Sequence, residues 1–180
     1  MQFEPLAASA WVKKWASMIP SGGLVLDLAA GSGRHTKLLA DSGHLVEAID
    51  RDISGLTELA ALSSVNIHEY DMERGAWPYP VNHFSGIVVT NYLYRPIFPA
   101  LINALVPGGV LIYETFAEGN EVYGRPTNPD FLLYAGELLE KVHGQLRVIA
   151  FEDVYTPEPK PAMVQRICAI RPIACHDTDL

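Results

Sequence analysis

The chain has 180 residues, 49% of them hydrophobic and 19% charged, a size and balance that suit one folded core and exclude disorder. Its net charge of −8 disfavours a nucleic-acid partner, because such binding rests on clustered lysines and arginines that neutralise phosphates. The two cysteines, Cys168 and Cys175, lack CxxC spacing and companion histidines, so neither a disulfide framework nor a metal constellation is expected. Nothing at the start reads as an export signal and no apolar run reaches the roughly 18 residues of a membrane span. The expectation is a cytoplasmic protein without membrane contact.

The first predicted element is an amphipathic leading helix within residues 1–20, where Leu6, Ala10, Trp11, Trp15 and Met18 recur at helical spacing before Pro20-Ser21-Gly22-Gly23 stops the pattern. LVLDLAA (24–30) is a short apolar run that enters a Gly-Ser-Gly turn, as a buried parallel strand does. Residues 34–42 read as a helix, HLVEAID (44–50) as a strand, 53–62 as a helix capped by Asp52, and VNIHEYD (65–71) as a third strand. FSGIVVTN (84–91) is the fourth strand. A helix over 95–105 follows, with Pro96 and Pro99 in its first turn and Pro107-Gly108-Gly109 after its end. GVLIYETF (109–116) is the fifth strand. The irregular stretch 117–129 is long enough to read as a functional loop. A helix capped by Asn128 or Asp130 then runs through LLYAGELLEKVH to Gly144, and two strands, 145–156 and 163–173, form an antiparallel hairpin around PEPKPA.

Strands that alternate with helices predict one α/β domain over 1–180: a doubly wound, mostly parallel seven-stranded sheet with an antiparallel last strand and helices on both faces. Ligands of such sheets bind beyond the carboxyl ends of the strands, where strand order reverses. Functional residues are therefore expected in the loops at 27–35, 50–52, 71–79, 90–95 and 116–129.

The most informative stretch is VLDLAAGSGRHT (25–36). Gly31 and Gly33 permit a tight turn and close approach of a ligand, and the helix start behind them offers free N–H groups to an anion. A dinucleotide loop wants Gly-x-Gly-x-x-Gly, and position 36 is Thr. Asp27, at the strand's end, suits a bound ammonium and would repel a pyrophosphate. The run Asp27-Leu28-Ala29-Ala30-Gly31-Ser32-Gly33 resembles the first motif of the class I, Rossmann-like S-adenosylmethionine-dependent methyltransferases, acid-x-small-x-Gly-x-Gly, with Ala29 where that family often has glycine. Asp50, followed by Arg51, lies 19 residues after Gly31, close to the spacing of a ribose-binding acid. Asp71-Met72 stands where the family holds the adenine, and LVPGGVLIYETF (105–116) resembles its fifth strand. These motifs span residues 22–116.

The resemblance implies transfer of a methyl group from S-adenosyl-L-methionine to an acceptor, leaving S-adenosyl-L-homocysteine, and the short, acidic chain without a second substrate domain makes a small molecule the preferred acceptor. It places Asp27, Ala29, Gly31 and Gly33 around the methionine part, Asp50 and Arg51 at the ribose, and Asp71 and Met72 at the adenine. Asn91 and Tyr92, after the fourth strand, become the catalytic candidates beside the methyl group, with Asn91 also touching the cofactor. Residues 117–180 supply the acceptor loop, and Arg95, Arg125 and Tyr123 are candidates for the acceptor pocket. The sequence lacks the Asn-Pro-Pro-aromatic motif of enzymes that methylate exocyclic amines of bases. Ser32 lacks the Gly-x-Ser-x-Gly setting of a hydrolase nucleophile. His35 reads as partly exposed and unpartnered, and Trp77 as core. Two alternatives stay open: a nicotinamide-dependent oxidoreductase on the same fold, and a catalytically idle S-adenosylmethionine-binding protein.

Overall fold

Successive residues of a strand face opposite ways, and the central apolar runs of this chain bury both faces. In β4 (Phe84–Thr90), Ile87 and Val89 enter one core while Val88 enters the other; in β5 (Leu105–Phe116), Leu111 and Tyr113 part from Val110 and Ile112 in the same manner. Such strands need cover on both sides. In the computed structural model, which describes residues 7–173, α3 (Phe98–Ala104) and α4 (Glu137–Val142) cover the first core with Phe98, Leu101, Leu138 and Val142. The second is covered by α1 (Ala10–Trp15) and α2 (Arg34–Asp41), through Trp11, Val12 and Leu39.

The remaining strands are β1 (Leu24–Leu28), β2 (Leu45–Asp50), β3 (Val65–Glu69), β6 (Arg147–Thr156) and β7 (Ala162–Ile170). They form one seven-stranded sheet in the order β3-β2-β1-β4-β5-β7-β6. The first five are parallel, and β7 runs antiparallel to both β5 and β6, so the last strand of the chain is inserted between them. Strand order reverses between β1 and β4, and the crevice beyond their carboxyl ends is where this topology holds a ligand.

The elements depart from expectation in four places. The leading helix is short: Ser9 Oγ accepts the amides of Trp11 and Val12, so α1 begins at Ala10 and gives way to a 3-10 turn at Ala16–Met18. Leu6, like Cys175, lies outside the described residues. Residues Ile53–Ala61 form a 3-10 helix rather than an α-helix, capped by Asp52 as expected; Ser54, Gly55 and Thr57 are poor helix formers, and Gly55 lies so close to the glycine loop that a Cβ there would meet the Gly31 carbonyl at 2.7 Å. The strand after α3 begins at Leu105, and Pro107-Gly108-Gly109 lies inside it as a bulge in the pairing with β4, which jumps from Phe84–Leu105 to Gly86–Val110, while Gly108 and Gly109 bond to the backbone of Arg171. The long helix expected from 128 to 144 is instead a 3-10 turn, Pro129–Phe131, capped by Asn128, followed by the short α4, which starts after the left-handed Gly136.

Candidate functional site

A cleft of about 610 Å³ opens at the carboxyl ends of β1 to β5, within the range of small-molecule sites. From the β1 side it is lined by Ala29, Gly31, Ser32, Arg34 and His35; from β2 and β3 by Asp50, Arg51, Asp71, Met72 and Glu73; from β4 and β5 by Thr90, Asn91, Tyr92, Thr115 and Phe116; and from the following loop by Pro126 and Phe131. Eight of the site residues expected from sequence therefore meet there: Ala29, Gly31, Asp50, Arg51, Asp71, Met72, Asn91 and Tyr92.

The backbone shows why the floor is shaped as it is. Ala29 (φ +57°) and Asn91 (φ +54°) are non-glycine residues in the left-handed region, at the ends of the adjacent strands β1 and β4. That conformation costs about 1–2 kcal/mol each, a strain that gathers at binding sites. Gly31 (φ +56°) takes the same form, and a Cβ on it would meet no protein atom nearer than 4.0 Å, so the space before it belongs to the cleft. The Gly31 amide donates to Asp50 Oδ2 at 2.8 Å and the Asp52 amide to Asp50 Oδ1 at 3.0 Å, which fixes this carboxylate against the loop with lone pairs left over.

Asp27 and Gly33 are placed differently from expectation. Asp27 is 1% exposed and does not line the cleft; its Oδ2 accepts the Thr36 hydroxyl at 2.6 Å, and burial raises its pKa to about 6. Thr36 stands where a dinucleotide loop has its third glycine, and its buried bond to Asp27 fills the space such a glycine leaves between helix and strand. Gly33 is buried at the start of α2 with φ +75°, and a Cβ there would strike the side-chain ends of Leu59 and Leu56. Both residues shape the loop from behind.

At the β3 end, Asp71 Oδ1 accepts the Glu73 amide and Oδ2 lies 3.5 Å from Arg74 Nε, while Met72 is buried. Tyr92 is half-buried, and its hydroxyl pKa is raised by burial and then by the negative charges of Glu73 and Asp71. The Tyr113 hydroxyl donates to the Tyr92 carbonyl at 2.6 Å, and Tyr113, stacked on Phe98, is fully buried, so the backbone after β4 is held from below.

His35 overturns the expectation of a partly exposed, unpartnered side chain: it is 1% exposed. The Ser9 amide donates to its Nε2 at 3.0 Å. The ring proton therefore sits on Nδ1, which donates to Thr90 Oγ1 at 3.2 Å. Burial lowers its pKa to about 4, which keeps it neutral. Ser9 Oγ also donates to Glu114 Oε1 at 2.6 Å, and Arg34 Nη1 to the Ala7 carbonyl at 3.3 Å, so residues 7–9 are tied across the start of α2.

Arg95 is not free for a ligand. Its Nε and Nη2 bind the fully buried Glu137 at 2.7 and 2.9 Å, and its remaining donors reach the carbonyls of Asp130 and Leu132. Tyr123 packs on Tyr155 with ring centres 5.1 Å apart, and Arg125 is exposed; neither lines the cleft. Trp77 packs against the core as expected. Thr90, Phe116 and Pro126 lie in the loops expected to be functional at 90–95 and 116–129, and Arg34 and Glu73 in those at 27–35 and 71–79, but none is singled out by the sequence; Thr115 and Phe131 lie just outside those loops, and their only signal is nearness to the end of β5 and to the loop after it. Among the described residues no helix is long and apolar enough to cross a membrane.

No family model matches the sequence, and no curated protein matches it. Solved structures do match in shape. TehB from Haemophilus influenzae aligns with a TM-score of 0.77 at 19% identity over 94% of this chain, which spans 64% of the length of that one. The [4+2]-cyclase SpnF aligns with a TM-score of 0.69 at 16% identity, over 91% of this chain and 80% of its own. The 1,6-didemethyltoxoflavin-N1-methyltransferase of Burkholderia thailandensis, with bound 1,6-didemethyltoxoflavin and S-adenosylhomocysteine, aligns with a TM-score of 0.66 at 17% identity, over 91% and 79%. Chains described as S-adenosylmethionine-dependent methyltransferases recur among the others.

Proposed function

We propose that this chain, which has the fold of the class I S-adenosylmethionine-dependent methyltransferases, transfers a methyl group from S-adenosylmethionine to a small-molecule acceptor. The observation that carries the reading is the meeting, in one cleft, of an open left-handed glycine loop with carboxylates at the ends of β2 and β3. The donor set fits the group. Asp50 has lone pairs left for ribose hydroxyls, Asp71 and Met72 offer an acceptor and an apolar wall to an adenine, and Arg34 at the start of α2 offers a cation to the methionine carboxylate. Asp27 supports the loop through Thr36 without touching the ligand. Tyr92, which lines the same cleft as Asp71 and Glu73, serves binding on the adenosyl side rather than the methyl transfer. Asn91, strained at the end of β4, stands beside the β5 end of the cleft, where the acceptor enters.

Bound S-adenosylmethionine supplies a methyl group already activated by the sulfonium charge. The chain's own task is to hold donor and acceptor at reacting distance and keep water out. An NAD-type dinucleotide suits this cleft poorly, because Thr36 fills the place of the third glycine and Asp50, Asp71 and Glu73 put three acids along it. The bound S-adenosylhomocysteine of the toxoflavin enzyme supports the cofactor assignment by analogy of fold. The test is calorimetric titration of Asp50→Asn and Asp50→Ala variants with S-adenosylmethionine. Both are expected to weaken binding, Ala by about 1–3 kcal/mol through lost charge-assisted hydrogen bonds. Unchanged affinity in folded variants removes Asp50 from the site and overturns the assignment.

A further inference from the structure

The loop after β5 is built to keep one shape. Its base is laced by the backbone: the Leu133 amide donates to the Phe116 carbonyl at 3.0 Å and the Glu118 amide to the Leu133 carbonyl at 2.9 Å, with Ala117 and Leu133 both buried. Residues 118–132 therefore leave and return at one point, as an Ω-loop does. Among the described residues, Pro126 and Phe131 are the members of this loop that line the cleft. A side chain grips the backbone at each of them. Asn120, which is buried, donates from Nδ2 to the Pro126 carbonyl at 3.3 Å, while its Oδ1 accepts the Met163 amide of β7 at 3.2 Å. Arg95 reaches the carbonyls on both sides of Phe131, Asp130 at 2.7 Å and Leu132 at 2.8 Å. Arg95 is itself held, because Nε and Nη2 bind the two oxygens of the fully buried Glu137. It also opens the 3-10 turn Arg95–Ile97, just after Asn91 and Tyr92, which line the cleft from β4. One guanidinium thus ties the chain after β4 to the loop after β5, through a planar fork of donors that the point charge of a lysine does not reproduce. Phe131 itself stays 46% exposed, so its ring has area left for a bound molecule to cover.

We propose that Arg95 is a positioning residue that fixes the carbonyls flanking Phe131 and so holds the Phe131 ring as a preformed wall of the cleft, where it is a specificity contact for an apolar or aromatic face of the methyl acceptor. The role toward an acceptor rests on the S-adenosylmethionine reading. Arg95 does not line the cleft and acts through Phe131. A wall ordered before binding spares the ligand the cost of ordering it, and a half-exposed aromatic ring beside Phe116 and Pro126 offers apolar area for a ligand to bury.

The experiment uses the full chain and the uncharged apolar dye N-phenyl-1-naphthylamine, whose fluorescence rises in an apolar site, titrated into the S-adenosylhomocysteine complex. Phe131→Ala, a change at an exposed ring, is expected to weaken the dye at least about fivefold, the worth of one aromatic contact, and to leave S-adenosylhomocysteine affinity unchanged. Arg95→Lys keeps a cation beside Glu137 and loses the fork. It is expected to weaken the dye by a similar factor and to speed hydrogen exchange of the Phe131 and Leu132 amides about fivefold, the worth of one hydrogen bond. Should that variant not fold, the pair Arg95→Gln with Glu137→Gln, which leaves no buried charge unpaired, carries the same expectations. A residue that served only to neutralise Glu137 would be rescued by lysine, so dye affinity and exchange equal to the parent's in Arg95→Lys overturn the positioning role. No dye binding by the parent complex, unchanged dye affinity in Phe131→Ala, or an equal loss of S-adenosylhomocysteine affinity in that variant overturns Phe131 as an acceptor contact. In each of these cases S-adenosylhomocysteine still binds the parent chain and the cofactor reading stands. If S-adenosylhomocysteine does not bind, the acceptor role falls with that reading.

Discussion

Two buried titratable side chains beneath the cleft carry opposite linkage between pH and stability. Asp27, raised to about 6, adds stability that is fully present below its unfolded value of 3.8 and lost as pH rises through about 6. His35, lowered to about 4, adds stability that is present above its unfolded value of 6.5 and lost as pH falls through about 4. In the window between about 4 and 6 the two oppose each other and flatten the stability curve. Asp27→Asn removes one of them. Relative to the parent chain, that variant is expected to gain about 2–3 kcal/mol between pH 4 and pH 8, read by urea unfolding at pH 4, 6 and 8, and to lose stability more steeply on acidification. Parallel curves for the two proteins would show that Asp27 titrates normally. The same residue marks a limit of sequence reading: its place in the motif is visible in the sequence, but that its carboxylate turns to Thr36 and away from the cleft depends on how α2 packs on β1.

At the scale of elements, the glycine loop, α2 and the Ile53–Ala61 helix make one unit around Gly33. The left-handed φ of +75° alone disfavours alanine, and the contacts with Leu56 and Leu59 add a second cost that Gly43, φ +88° with nothing within 4 Å, does not have. Gly43→Ala is therefore expected to cost about 1 kcal/mol and Gly33→Ala about 2 kcal/mol or more, measured by thermal or urea unfolding. Equal losses would mean that the 3-10 helix does not rest on the loop. Element order and strand ends were readable because apolar runs and glycine breaks report burial and turns directly. The segment 128–144 was not: its apolar spacing fits a helix, but Arg95 draws the Asp130 and Leu132 carbonyls and the Glu137 carboxylate to itself, and those tertiary bonds outweigh local propensity. The same remote pairing keeps Arg95 out of the cleft.

For the whole molecule, the reversal of strand order between β1 and β4 gathers at one edge residues as far apart in the chain as Ala29 and Phe131. One half of that cleft follows from motifs of fixed spacing, Gly31 to Asp50 and Asp71-Met72, because each lies at the end of its own strand. The other half is built from Thr90, Thr115, Phe116 and Phe131, ordinary residue types that come together only when β4, β5 and the loop after β5 meet. SpnF, a [4+2]-cyclase of the same shape, shows that the fold leaves the reaction open, so cofactor choice is the claim on which the rest depends. It is tested most directly by calorimetric titration of the full chain with S-adenosylmethionine, S-adenosylhomocysteine and NADH. Saturable binding of both adenosyl ligands and none of NADH is expected; binding of NADH without either adenosyl ligand would overturn the S-adenosylmethionine reading.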